Sequence, residues 1–155
     1  MQSIQPDSPQ RIFNPQRPKL RPPLERLGIR PARDQGLAQW VRQGAPYGVF
    51  DALREALDIS QGRLAELAAI PISTLKRREA DGRFNPQESD RLLRLATVYT
   101  RALELFEEDQ PQGRQWLKNP ARALSGVSPL EHAQTEIGAR EVLDLIGRLE
   151  YGVLS

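Results

Sequence analysis

The chain of 155 residues contains no cysteine. A disulfide framework and a thiolate metal site are therefore excluded. It has one histidine, His132, so a paired-histidine metal site or a Cys–His nucleophile has no second member. No run approaches the ~18 apolar residues of a membrane span, and no apolar segment follows Met1 as a secretory signal requires. No glycine-rich phosphate loop is present. No segment shows the two-residue period of a half-buried strand. Ser128 has no identifiable base and is better used as a helix cap than as a nucleophile. Paired carboxylates fall on helix faces that read as solvated. These absences predict a cytoplasmic protein that spans no membrane, is not an enzyme and needs no cofactor. His132 reads as a surface or partly buried helix residue.

Apolar residues make up 39% of the chain, below the ~45–50% usual for a globular protein. The length suits one domain or two small ones. Thirteen prolines contribute to the low figure, and they crowd toward the N-terminus. Residues 1–24 hold Pro6, Pro9, Pro15, Pro18, Pro22 and Pro23, with Arg11, Arg17, Lys19 and Arg21 between them. Each proline removes a backbone donor and pushes the preceding residue away from helix. A disordered or extended arm is the plain expectation. A basic arm that follows a nucleic-acid backbone or packs on a partner is the sharper one.

Charge is uneven although the net is only +2. Residues 1–47 hold eight Lys/Arg against three Asp/Glu, residues 48–109 nine against twelve, and residues 110–155 five of each. Such a balance excludes a protein that simply coats nucleic acid. It allows a local basic face beside a neutral partner surface.

Leu37, Trp40 and Val41 predict a short helix over Gln35–Gln43, with Trp40 a packing anchor. From Val49 the pattern is steadily helical. Phe50, Leu53, Ala56 and Leu57 share one face. Ser60 caps a helix over Gln61–Ala69 whose inward residues are Leu64, Leu67 and Ala68. Ile70-Pro71-Ile72 breaks it, Ser73 opens the next helix over Thr74–Ala80, and Asp81-Gly82 stops that one. Asn85-Pro86-Gln87-Glu88 carries a cap, a proline at the first position and a glutamate at the third. The long helix it opens runs to about Glu108, with the stripe Leu92, Leu95, Ala96, Tyr99, Ala102, Leu103 and Phe106. Glu107-Glu108-Asp109 belongs in solvent, and Pro111 and Gly113 mark a boundary.

Ser60–Gly82 has the pattern of a helix-turn-helix. The second helix of such a unit must expose small donors and cations at its N-terminal end, where base edges and phosphates are in reach. Leu75 is the inward residue. At 100° per residue, Ser73 and Arg77 lie most nearly opposite it, with Thr74 and Lys76 on the flanks. Arg78 falls nearer the buried side, with Glu79 or Asp81 as its expected partner. The local sequence alone equally fits a structural helical hairpin with a solvated basic face.

Three further short helices follow. One is anchored by Trp116 and ends at Asn119-Pro120. The next opens at Ser128-Pro129-Leu130-Glu131, with Ser128 as cap and Pro129 at the first position. The last, Ile137–Leu149, has the apolar stripe Val142, Leu145, Ile146 and Leu149, with Glu141, Asp144 and Arg148 on other faces. Tyr151-Gly152 ends it. The last three residues, Val153, Leu154 and Ser155, are either a frayed end or a contact segment.

This terminal stretch resembles the toxin-binding domain of the Xre–MbcA–ParS family of bacterial antitoxins. Trp116-Leu117, Asn119-Pro120, Leu124-Ser125-Gly126, Ser128-Pro129-Leu130-Glu131, Thr135, Gly138-Ala139, Val142, Gly147-Arg148 and Tyr151-Gly152-Val153 carry the match, at ordered spacing over roughly 40 residues. Leu64-Ala65-Glu66-Leu67, Ser73-Thr74-Leu75 and Asp81-Gly82 are similar to the Xre-type DNA-binding fold. The chain departs from that pattern at the turn, where Ala69 replaces the usual glycine and Pro71 follows closely. Leu154 stands where the family often has an aromatic residue.

The resemblance implies an antitoxin of a two-protein pair. Its partners would be a cognate RES-domain toxin that consumes NAD, and the operator DNA of its own operon. It implies DNA contacts from Ser73, Thr74, Lys76 and Arg77. It implies that Tyr151, Gly152, Val153, Leu154 and Ser155, supported by Arg148, block the toxin's active site. Three parts are expected: a basic, mostly irregular arm over 1–47, a helix-turn-helix with its connecting helix over 48–109, and a toxin-binding domain over 110–155. The apolar stripe of the long helix, added to that of the terminal unit, exceeds what one small chain buries. It predicts a homodimer or a higher assembly with the toxin. A helix-turn-helix regulator without a toxin is the alternative from another class. A toxin-binding protein that has lost DNA binding is the third, motivated by Ala69 and Pro71.

Overall fold

The computed structural model describes residues 22–152. Residues 1–21 of the expected arm and the terminal Val153, Leu154 and Ser155 lie outside the described residues. Among those described the protein is all-α, with helices α1 (Pro22–Arg26), α2 (Leu37–Gln43), α3 (Gly48–Leu57), α4 (Gln61–Leu67), α5 (Ile72–Asp81), α6 (Pro86–Leu105), α7 (Gln110–Lys118), α8 (Pro129–His132) and α9 (Glu136–Glu150), plus a 3₁₀ turn at Arg122–Leu124. No described helix is long and apolar enough to cross a membrane.

Residues 24–47, placed by composition in the arm, join the core. Leu27, Ile29, Trp40 and Ala45 are buried, and both α1 and α2 pack on α6. The prolines and arginines that suggested an arm end at Pro23, so composition averaged over 1–47 hid a packed segment.

The start of α3 is tied to the loop after α5. Tyr47 N donates to Gly82 O at 2.9 Å and Phe84 N to Ala45 O at 2.9 Å. Tyr47, Phe50 and Phe84 stack beside these bonds, with ring centroids 5.5–6.1 Å apart. Ser89 of α6 completes the joint: its hydroxyl accepts from Ala45 N and donates to Asn85 O, both at 2.7 Å.

α6 is the axis of the molecule, roughly 30 Å long at 1.5 Å per residue. Its capping box forms as the sequence predicts: Asn85 Oδ1 accepts from Glu88 N at 2.8 Å, and Glu88 Oε1 from Asn85 N at 2.9 Å. The helix ends at Leu105, short of Glu108. Phe106 is its C-cap, and Glu107 and Glu108 adopt φ of 54° and 68°. The acidic run is exposed, as expected, but it forms the turn itself. Asp109 then caps α7, accepting from Gln112 N at 3.1 Å. Phe106 packs on Trp116 across this turn.

α9 lies along α6. Its expected stripe holds: Val142 and Ile146 are fully buried, Leu145 nearly so and Leu149 in part. Arg101 of α6 binds the Glu150 carboxylate with two bonds of 3.2 Å. The α6 stripe is likewise covered within one chain, by α1, α2, α3, α7 and α9. Surplus apolar area therefore no longer argues for a dimer.

The turn from α8 to α9 requires Gly138. Thr135 caps α9 by accepting from Gly138 N at 2.9 Å, and a Cβ on Gly138 would overlap the carbonyl oxygen of His132. Among the described residues, Arg114, Lys118 and Arg63 make further bonds between the helices before α6 and those after it. Arg114 Nε donates to Ala56 O at 2.7 Å and Lys118 Nζ to Asp58 O at 2.8 Å, both at the C-terminal end of α3, where the helix dipole favours cations. Arg63 of α4 pairs with Glu131 of α8 at 2.9 Å. Glu131, three residues after the Ser128 cap, spends its carboxylate on that pair.

Candidate functional site

The first exposed cluster is on α5. Ser60 caps α4, accepting from Arg63 N at 3.0 Å. After α4 the chain turns at Ala69, whose φ is 53°. An L-residue in this left-handed region costs about 1–2 kcal/mol, which is why glycine is usual there. The turn is nonetheless closed: Ala69 N donates to Glu66 O at 3.1 Å and Ile70 N to Ala65 O at 2.8 Å. Arg91 of α6 grips its outer carbonyls, with Nε 2.7 Å from Ala68 O and Nη2 3.4 Å from Ala69 O. Buried Ile70 anchors the end. The alanine therefore reproduces the glycine conformation, with tertiary bonds offsetting the strain.

Pro71 does not disrupt the unit either. It is the extended N-cap residue of α5, at φ −59° and ψ 147°. The helix begins at Ile72, two residues ahead of the expected Thr74. Ser73 thus sits inside the first turn and is not the cap; its hydroxyl has no hydrogen bond among the described residues. Leu75 is buried, as expected. Ser73, Lys76 and Arg77 are exposed and Thr74 half-buried. Lys76 and Arg77 make no ion pair among the described residues.

Arg78 behaves differently from its neighbour. Its Nε lies 2.7 Å from Glu88 Oε1 and its Nη2 3.3 Å from Oε2, with Asp81 a weaker contact at 3.8 Å. Glu88 is only 4% exposed. Burial pushes its carboxyl pKa up, but the Arg78 bond, the Asn85 N–H and the charges of Arg78 and Arg91 outweigh this and hold it below the usual range. The same bond raises the Arg78 guanidinium pKa. The pair fixes α5 on α6, so that Arg77 and Lys76 face outward.

The second cluster lies at the end of α9. Arg148 and Tyr151 share a shallow cleft of about 680 Å³, floored by Leu124, Leu143 and Gly147 and edged by Asp144. Tyr151 is 83% exposed, and Arg148 makes no ion pair among the described residues. Gly152 leaves the helix at φ 68°. His132 Nε2 lies 2.8 Å from Glu141 Oε2 at the surface, which accounts for the histidine structurally. Among the described residues no group of His, Asp and Glu could hold a metal ion.

Sequence reading missed Ile72, 48% exposed at the start of α5. The sequence places it in the break between the two helices. Spacing points away from its exposure: Ile72 stands three residues before Leu75, about 60° around the helix and so nearer the buried side, as Arg78 does. Arg91 and the Arg63–Glu131 pair were missed as well, and they have no local signal.

Comparison with known proteins assigns both clusters to recognised domains. Residues 37–96 match the antitoxin Xre-like helix-turn-helix domain, and residues 101–152 match the antitoxin Xre/MbcA/ParS C-terminal toxin-binding domain. The Antitoxin Xre of Yersinia enterocolitica is 36% identical over 138 residues, covering 88% of this chain and 93% of that protein. The chain belongs to the antitoxin Xre family. The Antitoxin Xre of Photorhabdus laumondii is 33% identical over 147 residues, 94% of this chain and 99% of that one. The Pseudomonas putida Antitoxin Xre is 33% identical over 84 residues, about half of each chain. In this antitoxin the α4–α5 pair lies in the helix-turn-helix domain, and the α9 cleft in the toxin-binding domain.

Proposed function

We propose that this antitoxin neutralises a RES-type, NAD-degrading toxin by occluding its active site, and represses its own operon by binding operator DNA. The observation that carries the reading is one chain with two separate polar faces, unpaired among the described residues, in the two matched domains. Ser73, Thr74, Lys76 and Arg77 are the DNA contacts, with the cations on phosphate and the small hydroxyls near base edges. Arg148, Tyr151 and Gly152 are the described part of the toxin contact. The reading extends it to Val153, Leu154 and Ser155. The repressing species is a homodimer within the toxin–antitoxin assembly, since helix-turn-helix units read paired half-sites. It acts in the cytoplasm, where both NAD and the operon are found.

The test expresses the protein of the neighbouring reading frame alone, with this chain, and with this chain lacking Val153, Leu154 and Ser155, and follows cellular NAD and growth. NAD is expected to collapse with the toxin alone and recover only with the intact chain. Recovery without the tail would move the block to the α9 surface. A harmless neighbour that does not co-purify would end the toxin reading. For DNA, Arg77→Ala is expected to weaken operator binding and lower the salt slope by about one phosphate contact. An unchanged slope would remove Arg77 from the interface.

A further inference from the structure

We propose that Ile72 is a specificity-determining residue that packs against a thymine C5-methyl group in the operator. The inference rests on the reading of α5 as the DNA-reading helix. Ile72 is the first residue of α5, directly after its Pro71 N-cap. It is 48% exposed and lies outside the buried core. A solvent-facing isoleucine is ordinary on its own. Here, however, it stands one helical turn before Lys76 on the same flank, with Ser73 and Arg77 on the adjoining outward face. The N-terminal residues of a recognition helix are those that reach base edges.

In the major groove thymine is the only base that presents a methyl group, and apolar side chains read it. Ser73 and Lys76 offer polar contacts, but none of these tells thymine from uracil. Ile72 supplies what they lack. Its β-branched side chain has restricted χ1 freedom, so little rotamer entropy is lost on contact. Leu75 and the Arg78–Glu88 pair hold the helix behind it.

The experiment uses the full chain and the operator fragment it protects upstream of its own reading frame. Each thymine is replaced in turn by deoxyuridine, which removes only the methyl group. One replacement is expected to weaken the parent about fourfold, the affinity equivalent of one buried methyl. In Ile72→Ala the same replacement is expected to change nothing. Ile72→Ser, which also removes the apolar branch at this exposed position, serves the same cycle if the alanine variant loses its fold. If every deoxyuridine substitution weakens both proteins equally, the thymine assignment is overturned. Loss of binding in Arg77→Ala alongside that result would leave the DNA reading of α5 standing. If the intact chain binds no operator fragment, both readings fall together.

Discussion

Ala69→Gly should stabilise this protein, although it removes a methyl group and adds the most flexible residue. Ala69 holds φ at 53°, which costs an L-residue about 1–2 kcal/mol. Glycine adopts that conformation freely, but it widens the unfolded ensemble by about 0.4–1 kcal/mol. Ala69 is exposed, so no core contact is lost. The difference leaves a net gain of about 0.5–1 kcal/mol. For a chain of this size that raises Tm by roughly 2–3 °C. Ala80→Gly is the control. It makes the same chemical change at an exposed helical site in α5 and should cost about 1 kcal/mol. Urea unfolding followed by circular dichroism gives both values. Operator affinity should stay within about twofold, because the turn keeps its shape and Arg91 its grip. If Ala69→Gly is as destabilising as Ala80→Gly, Ala69 does not sit in the left-handed region and the account of the turn fails.

Three other measurements test the packing and the interfaces. Glu88 has a folded pKa below its unfolded value, so its contribution is present above the unfolded pKa near ~4.3 and disappears as pH falls through the folded value. Glu88→Gln should therefore lose stability at pH 7, and its gap with the parent should narrow as pH falls below the unfolded pKa; a gap unchanged by pH refutes the pair's role. Gly138→Ala should cost about 2 kcal/mol net in urea titrations, because backbone must move away from His132 O and helix propensity recovers only part of the cost. Tyr151→Ala should leave Tm within about 1 °C, since the side chain is 83% exposed. In titration calorimetry it should weaken toxin binding by at least tenfold, as expected of an aromatic anchor; wild-type affinity would take Tyr151 out of the contact.

The sequence by itself determined the helix starts where a cap was written in adjacent residues. Ser60, Asn85 and Ser128 each bond a backbone N–H three residues on, and such bonds need no tertiary context. It also determined the buried stripes of α6 and α9 and the inward position of Leu75, because a 3.6-residue period is local information. The outward faces of Ser73, Lys76 and Arg77 followed from that one residue.

Only the tertiary structure decided the rest. Nothing near Arg78 marks Glu88, across the α5–α6 turn, as a better partner than Glu79 or Asp81. Nothing near Ala69 announces that Arg91, 22 residues away, holds the turn. The end of α6 at Leu105 depends on where α7 must fold back for Trp116 to meet Phe106. Residues 24–47 read as an arm because their composition is polar, yet a few apolar side chains, Leu27, Ile29 and Trp40, were enough to draw them onto α6. Local bonds can be read from spacing, whereas these contacts join residues whose distance apart is set only once the helices have packed.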